Sequence, residues 1–270
     1  MLTIDDRGGV RVIRMAHGKV SAMDVALCDA VAEQLGAARD TSVRAVVITG
    51  TGSSFSAGVD LFQVLDGGAP YVDRFLPVFE RLLREVVTFP KPVVAAVNGH
   101  AIAGGCILAA ACDRCIMADG NGRLGIPELL VGVPFPVLAL EIMAARVPPA
   151  SLRELVFSGR TLPVSDAVAA GLVDETCPAD RLIDHACEIA ERMATIPAGA
   201  FALTKETMWR PLLERVRQLS SLDERIAHEW TNPATYDAIR RYLETTLGRK
   251  WSDGSPPSRG PSARGPGRHV

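Results

Sequence analysis

Two short motifs have the composition of turns that expose backbone amides. Phe55–Leu61 (FSAGVDL) and Asn98–Cys106 (NGHAIAGGC) each follow an apolar stretch and lead toward a probable helix start. At a helix start the first N–H groups have no intrahelical acceptor, and the helix dipole adds partial positive charge. Small residues let an oxygen approach the backbone closely. Two such turns facing each other would form an oxyanion hole from main-chain donors alone.

The segments around these motifs predict an α/β framework that would hold them. Val43–Thr49 (VRAVVIT) and Val93–Val97 (VVAAV) are dense in small and β-branched apolar residues, which is typical of strands buried on both faces. Apolar residues at helical spacing predict helices over Ala22–Ala38 and Tyr71–Val87. Because strands alternate with helices, crossover connections and parallel pairing are favoured.

Three further predictions extend this framework. Met1–Asp6 and Val10–Ala16 are rich in β-branched residues and flank Arg7-Gly-Gly, a pattern that predicts a hairpin. The small apolar segment Ala103–Ala111 predicts a tightly packed helix. Arg114–Met117 is the candidate third central strand.

The remainder of the chain has mostly helical patterns. The last of them runs from about Ala198 to Thr246, and we expect Pro211 and Asn232-Pro233 to interrupt it. Gly254–Val270 has no large apolar residue before its final valine, which predicts a disordered, mildly basic tail.

Composition excludes several classes of function. The 270 residues have a formal net charge of −2, so no basic field favours nucleic acid as a partner. No apolar run approaches the ~20 residues of a membrane span. The N-terminal residues Met1–Asp6 have the pattern of neither a signal peptide nor a transit sequence, so we expect a cytoplasmic protein with no membrane partner.

Metal, redox and dinucleotide chemistry have weak signals. Cys112-Asp-Arg-Cys115 is a C-x-x-C pair, but a zinc site would need a second ligand pair at similar spacing. We therefore expect buried, reduced thiols. Gly50-Thr-Gly52 follows a strand, but Phe55 stands where a dinucleotide-binding loop has its third glycine. We expect no metal and no redox cofactor.

The ordered motifs resemble the crotonase, or enoyl-CoA hydratase/isomerase, superfamily. F-S-x-G-x-D-L at Phe55–Leu61 is followed about forty residues later by A-V-N-G-x-A-x-x-G-G at Ala96–Gly105. The resemblance runs from about residue 2 to 247 and also covers His17–Asp24, Cys112-Asp113, Pro127-Glu128 and Arg160–Val173.

This resemblance implies a fold and an assembly. The fold is a crotonase-like α/β spiroid of ββα units, with a core domain over residues 1–195. A C-terminal helical oligomerisation segment would span 196–250, ahead of a disordered tail over 251–270. The expected assembly is a homo-trimer or a dimer of trimers.

The resemblance also implies site residues for an acyl-CoA thioester, in which coenzyme A arrives as part of the substrate. The N–H groups of Val59 and Gly104 would hold the thioester carbonyl, and Glu128 would be the acid–base group. Asp60 also has a structural interpretation as an N-cap. The expected substrate-binding residues are Lys19, Ala57, Gly58, Asp60, Leu61, Gly105, Ile107 and Phe135.

One departure from the family pattern bears on the reaction. Related hydratases carry a glutamate where this sequence has Ile107, and hydration usually employs two carboxylates. A single carboxylate at Glu128 is enough to move a proton from C2 of a 3-enoyl-CoA to C4. We therefore expect a 3,2-enoyl-CoA isomerase. The alternatives are an enoyl-CoA hydratase or another crotonase-type reaction, and a non-catalytic acyl-CoA-binding protein.

Overall fold

Residues 1–247 are described by the computed structural model, and within them the chain forms ten strands. In chain order these are β1 (Leu2–Arg7), β2 (Val10–Met15), β3 (Ala45–Thr49), β4 (Ser54–Ser56), β5 (Val93–Val97), β6 (His100–Ile102), β7 (Arg114–Ala118), β8 (Arg123–Gly125), β9 (Thr161–Pro163) and β10 (Glu175–Cys177).

Eleven α-helices lie in the same residues. They are α1 (Val25–Ala38), α2 (Leu61–Val87), α3 (Gly104–Ala111), α4 (Glu128–Val131), α5 (Val137–Arg146), α6 (Pro149–Ser158), α7 (Val164–Ala169), α8 (Leu182–Met193), α9 (Ala198–Gln218), α10 (Ser221–Trp230) and α11 (Pro233–Leu247). Among these helices, none combines the length and the apolar composition that crossing a membrane requires.

A six-stranded sheet with the order β1-β2-β3-β5-β7-β10 forms the base of the fold. Strands β1 and β2 pair antiparallel as the predicted hairpin, and the remaining pairs are parallel. Every residue of β3 and β5 is buried, as their valine-rich sequences predict. Helix α8 packs its apolar side against one face of this sheet, and the main core lies on the other side.

A second, four-stranded sheet has the order β4-β6-β8-β9. Strands β4, β6 and β8 pair parallel, and β9 closes the sheet antiparallel. Each strand has only three residues, too short for a readable alternation of apolar and polar positions. β4 lies in a Gly/Ser-rich segment, residues 50–57, whose composition is typical of a loop.

Helix α2 bends at Gly68, whose φ of 56° and ψ of −150° lie outside the helical region. The part beyond this bend contains the predicted helix Tyr71–Val87 and buries its apolar side, including Phe75, Phe79 and Leu83. Pro70 lies in the first turn after the bend, where its missing N–H leaves no hydrogen bond unmade.

The C-terminal stretch departs from the expected break at Pro211. This proline is exposed and α9 continues through it, so that part of the prediction was wrong. The chain instead breaks at residues 219–220, and again at Asn232, after which Pro233 begins α11 in the position that suits proline. The predicted tail over 251–270 lies outside the described residues, and the oligomerisation role of residues 196–250 stays a prediction.

Buried contacts tie α9 to the sheet. Lys205 of α9 forms an ion pair with Asp113, with Nζ 2.8 Å from Oδ2 and only 5% of the lysine side chain exposed. The same Asp113 oxygen accepts a hydrogen bond from the Val93 N–H at the start of β5.

The six cysteines are all buried and free, which confirms the prediction of buried, reduced thiols.

Candidate active site

Three consecutive parallel strands of the small sheet lead into one cavity. Strand β4 pairs with β6 at Ser54 and His100, and β6 pairs with β8 at Ala101 and Leu124. Because parallel strands end at the same sheet edge, the segments that follow them emerge side by side. These segments carry Val59, Gly104 and Glu128, and all three residues line the same cavity.

The cavity is apolar and has a volume of about 60 Å³ into which water-sized molecules fit. It is lined by residues of β6, of loops and of the helices α2, α3, α4, α10 and α11, namely Ala57, Val59, Leu61, Phe75, Leu76, Phe79, Ile102, Ala103, Gly104, Ile107, Pro127, Glu128, Val131, Val133, Pro136, Trp230 and Tyr242.

The loop before α2 leaves the Val59 N–H unpaired. The Met23 N–H donates to the Gly58 carbonyl at 2.7 Å, and the Asp60 N–H donates to the Met23 carbonyl at 2.8 Å. These two bonds hold the residues on either side of Val59 and use neither its N–H nor its C=O. Within the described chain, the Val59 N–H has no protein acceptor.

The start of α3 supplies a second unpaired amide at Gly104. Ala103, the N-cap, has a φ of 51°, a conformation that a non-glycine residue holds at a cost of roughly 1–3 kcal/mol. Its N–H donates to the Gly125 carbonyl of β8, which fixes the turn. As the first helical residue, Gly104 has no intrahelical acceptor, and no other acceptor lies in the described residues.

The two amide-bearing turns are in direct contact. Gly58 has a φ of 81°, and a Cβ placed there would lie 3.2 Å from the Gly104 nitrogen and 2.6 Å from the Ile102 oxygen. At Gly105 a Cβ would lie 2.5 Å from the Ser56 oxygen. Both glycines therefore serve the close approach of the turns, which explains why side chains are absent at these positions.

Glu128 is a buried carboxyl with an unused oxygen. It is the first residue of α4 and is 6% exposed. Its Oε2 has no hydrogen-bond partner. Burial raises the pKa of Glu128 from its ordinary value of 4.5 to about 8, against a smaller opposing effect of its own backbone N–H. Near neutral pH the group therefore exchanges readily between the acid and the carboxylate.

Ile107 lines the cavity on α3 with an aliphatic side chain that can neither give nor take a proton. Among the described residues that line the cavity, Glu128 is the only carboxylate. A cavity with two unpaired N–H donors, one carboxyl and apolar walls can stabilise one developing oxyanion and move one proton.

The remaining expected site residues divide into two groups. Ala57 and Leu61 line the cavity and are partly exposed, so they lie toward its opening. Asp60 caps α2 by accepting from the N–H groups of Phe62 and Gln63, which confirms its structural interpretation. Lys19 is exposed and Phe135 is buried, and neither is among the cavity's lining residues.

Four aromatic residues also line the cavity, and of these Trp230 was missed from the sequence as a site residue. Phe75 and Phe79 come from α2, whose amphipathic pattern predicts their burial. Trp230 on α10 is 2% exposed and donates from Nε1 to the Pro134 carbonyl at 2.9 Å. Tyr242 comes from α11. No local pattern links Trp230 or Tyr242 with residues more than a hundred positions earlier.

Comparisons with known proteins agree with this architecture. The family model for enoyl-CoA hydratase/isomerase matches residues 5–253. A putative enoyl-CoA hydratase from Thermus thermophilus is 39% identical over 172 residues, which span 63% of this chain and 67% of that protein.

Two solved structures are also similar. A monofunctional enoyl-CoA isomerase from M. smegmatis is 30% identical with a TM-score of 0.65, over 78% of this chain and 93% of that one. The human mitochondrial delta3-delta2-enoyl-CoA isomerase superposes with a TM-score of 0.85 over 92% of this chain and 98% of that one. At 24% identity, the human protein shows the shared fold alone.

Proposed function

Since the chain belongs to the enoyl-CoA hydratase/isomerase family, we propose that it is an acyl-CoA-processing enzyme that shifts a 3-enoyl-CoA double bond to the 2-enoyl position. The observation that carries this choice is that, of the described residues around the cavity, Glu128 alone has a carboxylate and Ile107 is aliphatic. A 1,3-proton shift needs one base that becomes one acid, whereas hydration also needs a positioned water.

In the proposed reaction, ionised Glu128 removes a proton from C2 of the substrate. The C2–H electrons form the C1–C2 double bond of a dienolate, and negative charge moves to the thioester oxygen. The N–H groups of Val59 and Gly104 donate to that oxygen. Glu128 then returns the proton to C4, where the C3–C4 π electrons form the new C–H bond. The C1–C2 π electrons become the C2–C3 double bond and the oxyanion electrons restore the thioester carbonyl, so no atom or electron is gained or lost.

The apolar walls support both halves of this cycle. Burial that raises the pKa of Glu128 to about 8 makes the carboxylate a stronger base toward C2 and a competent acid toward C4. Ala57 and Leu61, at the partly exposed side of the cavity, suit the CoA end of the thioester, while the buried aromatics suit the acyl end.

The second candidate is an enoyl-CoA hydratase, which the name of the Thermus thermophilus relative favours. Ile107 stands against it, because an alkyl side chain can neither bind nor deprotonate water. A non-catalytic acyl-CoA-binding protein is the third candidate, since unpaired amides alone would hold a thioester.

For the assembly, we propose a homo-trimer or a dimer of trimers, with no cofactor beyond the coenzyme A of the substrate. The exposed side chains of Leu203 and Met208 on α9 support a contact between subunits. Sedimentation velocity tests this proposal, and a purely monomeric protein would exclude it.

The deciding experiment compares wild type with Glu128→Gln on 3-enoyl-CoA, with Glu154→Gln on the exposed part of α6 as the control. Glu128→Gln should lose about 10²–10⁴-fold in kcat, the usual contribution of a general base, while acyl-CoA affinity stays within about threefold. The control should match wild type.

Two results would overturn the proposal. A wild-type protein that binds 3-enoyl-CoA without converting it would favour the non-catalytic protein. Rapid hydration of a 2-enoyl-CoA despite Ile107 would favour the hydratase.

A further inference from the structure

We propose that Gln63 is a positioning residue whose side-chain amide joins the caps of α1 and α2 and so fixes the direction of the Val59 N–H. The inference rests on the proposed role of Val59 as an oxyanion donor. Gln63 does not line the cavity, and its effect on the reaction would pass through the loop that carries Val59.

The first cap is Asp24, which precedes α1. Its Oδ1 accepts from the Leu27 N–H at 2.8 Å. Its Oδ2 lies 2.8 Å from Nε2 of His17 and accepts from Nε2 of Gln63 at 2.9 Å. Burial by itself would raise the pKa of Asp24, but the hydrogen bonds from Leu27, His17 and Gln63 outweigh it and hold the pKa below its usual range.

The second cap is Asp60, which precedes α2. Its Oδ1 accepts from the N–H groups of Phe62 and Gln63, each at 3.1 Å. Its Oδ2 lies 3.3 Å from the same Gln63 Nε2 that reaches Asp24. An amide NH₂ has two hydrogens, so one group can serve both carboxylates, and only the nitrogen end of the amide can face them.

These two caps enclose the short backbone pairing that leaves the Val59 N–H unused. Met23 stands next to Asp24, and Gly58 and Asp60 flank Val59. The Met23 N–H bonds to Gly58 and the Asp60 N–H bonds to Met23, so any separation of the caps would rotate the peptide that carries the Val59 N–H. Without a shared donor, two neighbouring carboxylates would repel each other.

The chain offers a matched control for Gln63. Gln34 is also a half-buried helical glutamine, but it lies about two and a half turns beyond the start of α1. Gln63→Met keeps the shape of the side chain and removes the donor, and Gln34→Met makes the same change away from the caps. Gln63→Lys restores a donor able to reach both carboxylates.

Two measurements separate positioning from simple stabilisation. The first is the split between kcat and KM with 3-enoyl-CoA. The second is the red shift in absorbance of a bound 2,4-dienoyl-CoA, because donors at the thioester oxygen polarise the conjugated system whether or not turnover follows. Unfolding temperatures of the same variants report stability.

Removal of one oxyanion donor costs about 10²–10³ in kcat elsewhere, so displacing one should lower kcat about 10–100-fold in Gln63→Met. KM should change less than about twofold, since ground-state contacts remain, and the red shift should shrink. Gln63→Lys should recover most of both signals, and Gln34→Met should match wild type.

Wild-type kcat and red shift in Gln63→Met, with only a lower unfolding temperature, would show a purely structural role. A Gln63→Lys variant as impaired as Gln63→Met would also refute the inference. A wild type with the red shift but no isomerisation would refute the proposed reaction while the shift still tests Gln63. A wild type with neither would refute the role of Val59 and the inference with it.

Discussion

Replacing Glu128 with glutamine should remove a pH-dependent loss of stability at the same time as it removes activity. The unfolded chain ionises this residue near pH 4.5, whereas burial raises its pKa in the folded chain to about 8. The folded state therefore keeps a proton that the unfolded state releases. The associated stability is fully present below pH 4.5 and is lost as the pH rises toward 8.

The size of the effect follows from the two pKa values. At 1.36 kcal/mol per pKa unit, the gap corresponds to about 5 kcal/mol above pH 8. Relaxation around a buried charge and entry of water reduce such costs, so we expect wild type to lose about 2–4 kcal/mol more than Glu128→Gln between pH 5 and pH 8. The glutamine amide has its own burial cost, but that cost does not change with pH.

Urea unfolding of both proteins at pH 5, 6, 7 and 8 measures this difference directly, with Glu154→Gln as the exposed control. Activity should change in the opposite direction. Because the base must be ionised, wild-type kcat/KM should rise about tenfold per pH unit below 8 and level off above it. If the stabilities of wild type and Glu128→Gln change in parallel with pH, the carboxyl is not the desolvated group described above.

Two other substitutions test how the site is held. Gly58→Ala should destabilise the protein by about 1–3 kcal/mol and lower kcat, because the methyl group would meet Ile102 and Ala103 at a positive φ. The control Gly52→Ala, at a φ of 61° with open space around it, should destabilise the protein less and leave kcat unchanged. If both variants lose the same unfolding temperature and the same kcat, the packing argument is wrong. Lys205→Met should lower the free energy of unfolding in urea by about 3–5 kcal/mol, because it leaves Asp113 buried without its cation. Adding Asp113→Asn should recover part of that loss, and a double variant no more stable than Lys205→Met would contradict the role of the ion pair.

Much of the fold can be predicted from local patterns. The valine-rich β3 and β5 are each buried throughout, so a continuous apolar run is enough to identify them. The amphipathic spacing of α2 beyond Gly68 identifies its buried side. Asp60 is predictable as a cap because a short acidic side chain before a helix satisfies its first N–H groups.

Other features depend on contacts between distant residues and have no local signal. The Gln63 amide meets Asp24, 39 residues away in the chain. Trp230 reaches the cavity through the packing of α10, and its hydrogen bond to Pro134 spans 96 residues. Phe135 lies between two residues that line the cavity, Val133 and Pro136, but does not line it itself. The reason is that side-chain direction in an irregular segment follows no simple period.

The small sheet explains why the turns that carry the backbone N–H groups can be predicted from the sequence, whereas the strands that hold those turns cannot. Strands β4, β6 and β8 are three residues long, and their side chains carry no readable alternation. Their register alone places the segments after them at one edge, where Val59, Gly104 and Glu128 line the cavity. The positions that tolerate few residue types therefore lie in the turns that follow the strands. Gly58 and Gly105 are needed there because any Cβ would collide with the neighbouring turn. These two glycines are therefore the feature of the site that can be recognised in the sequence.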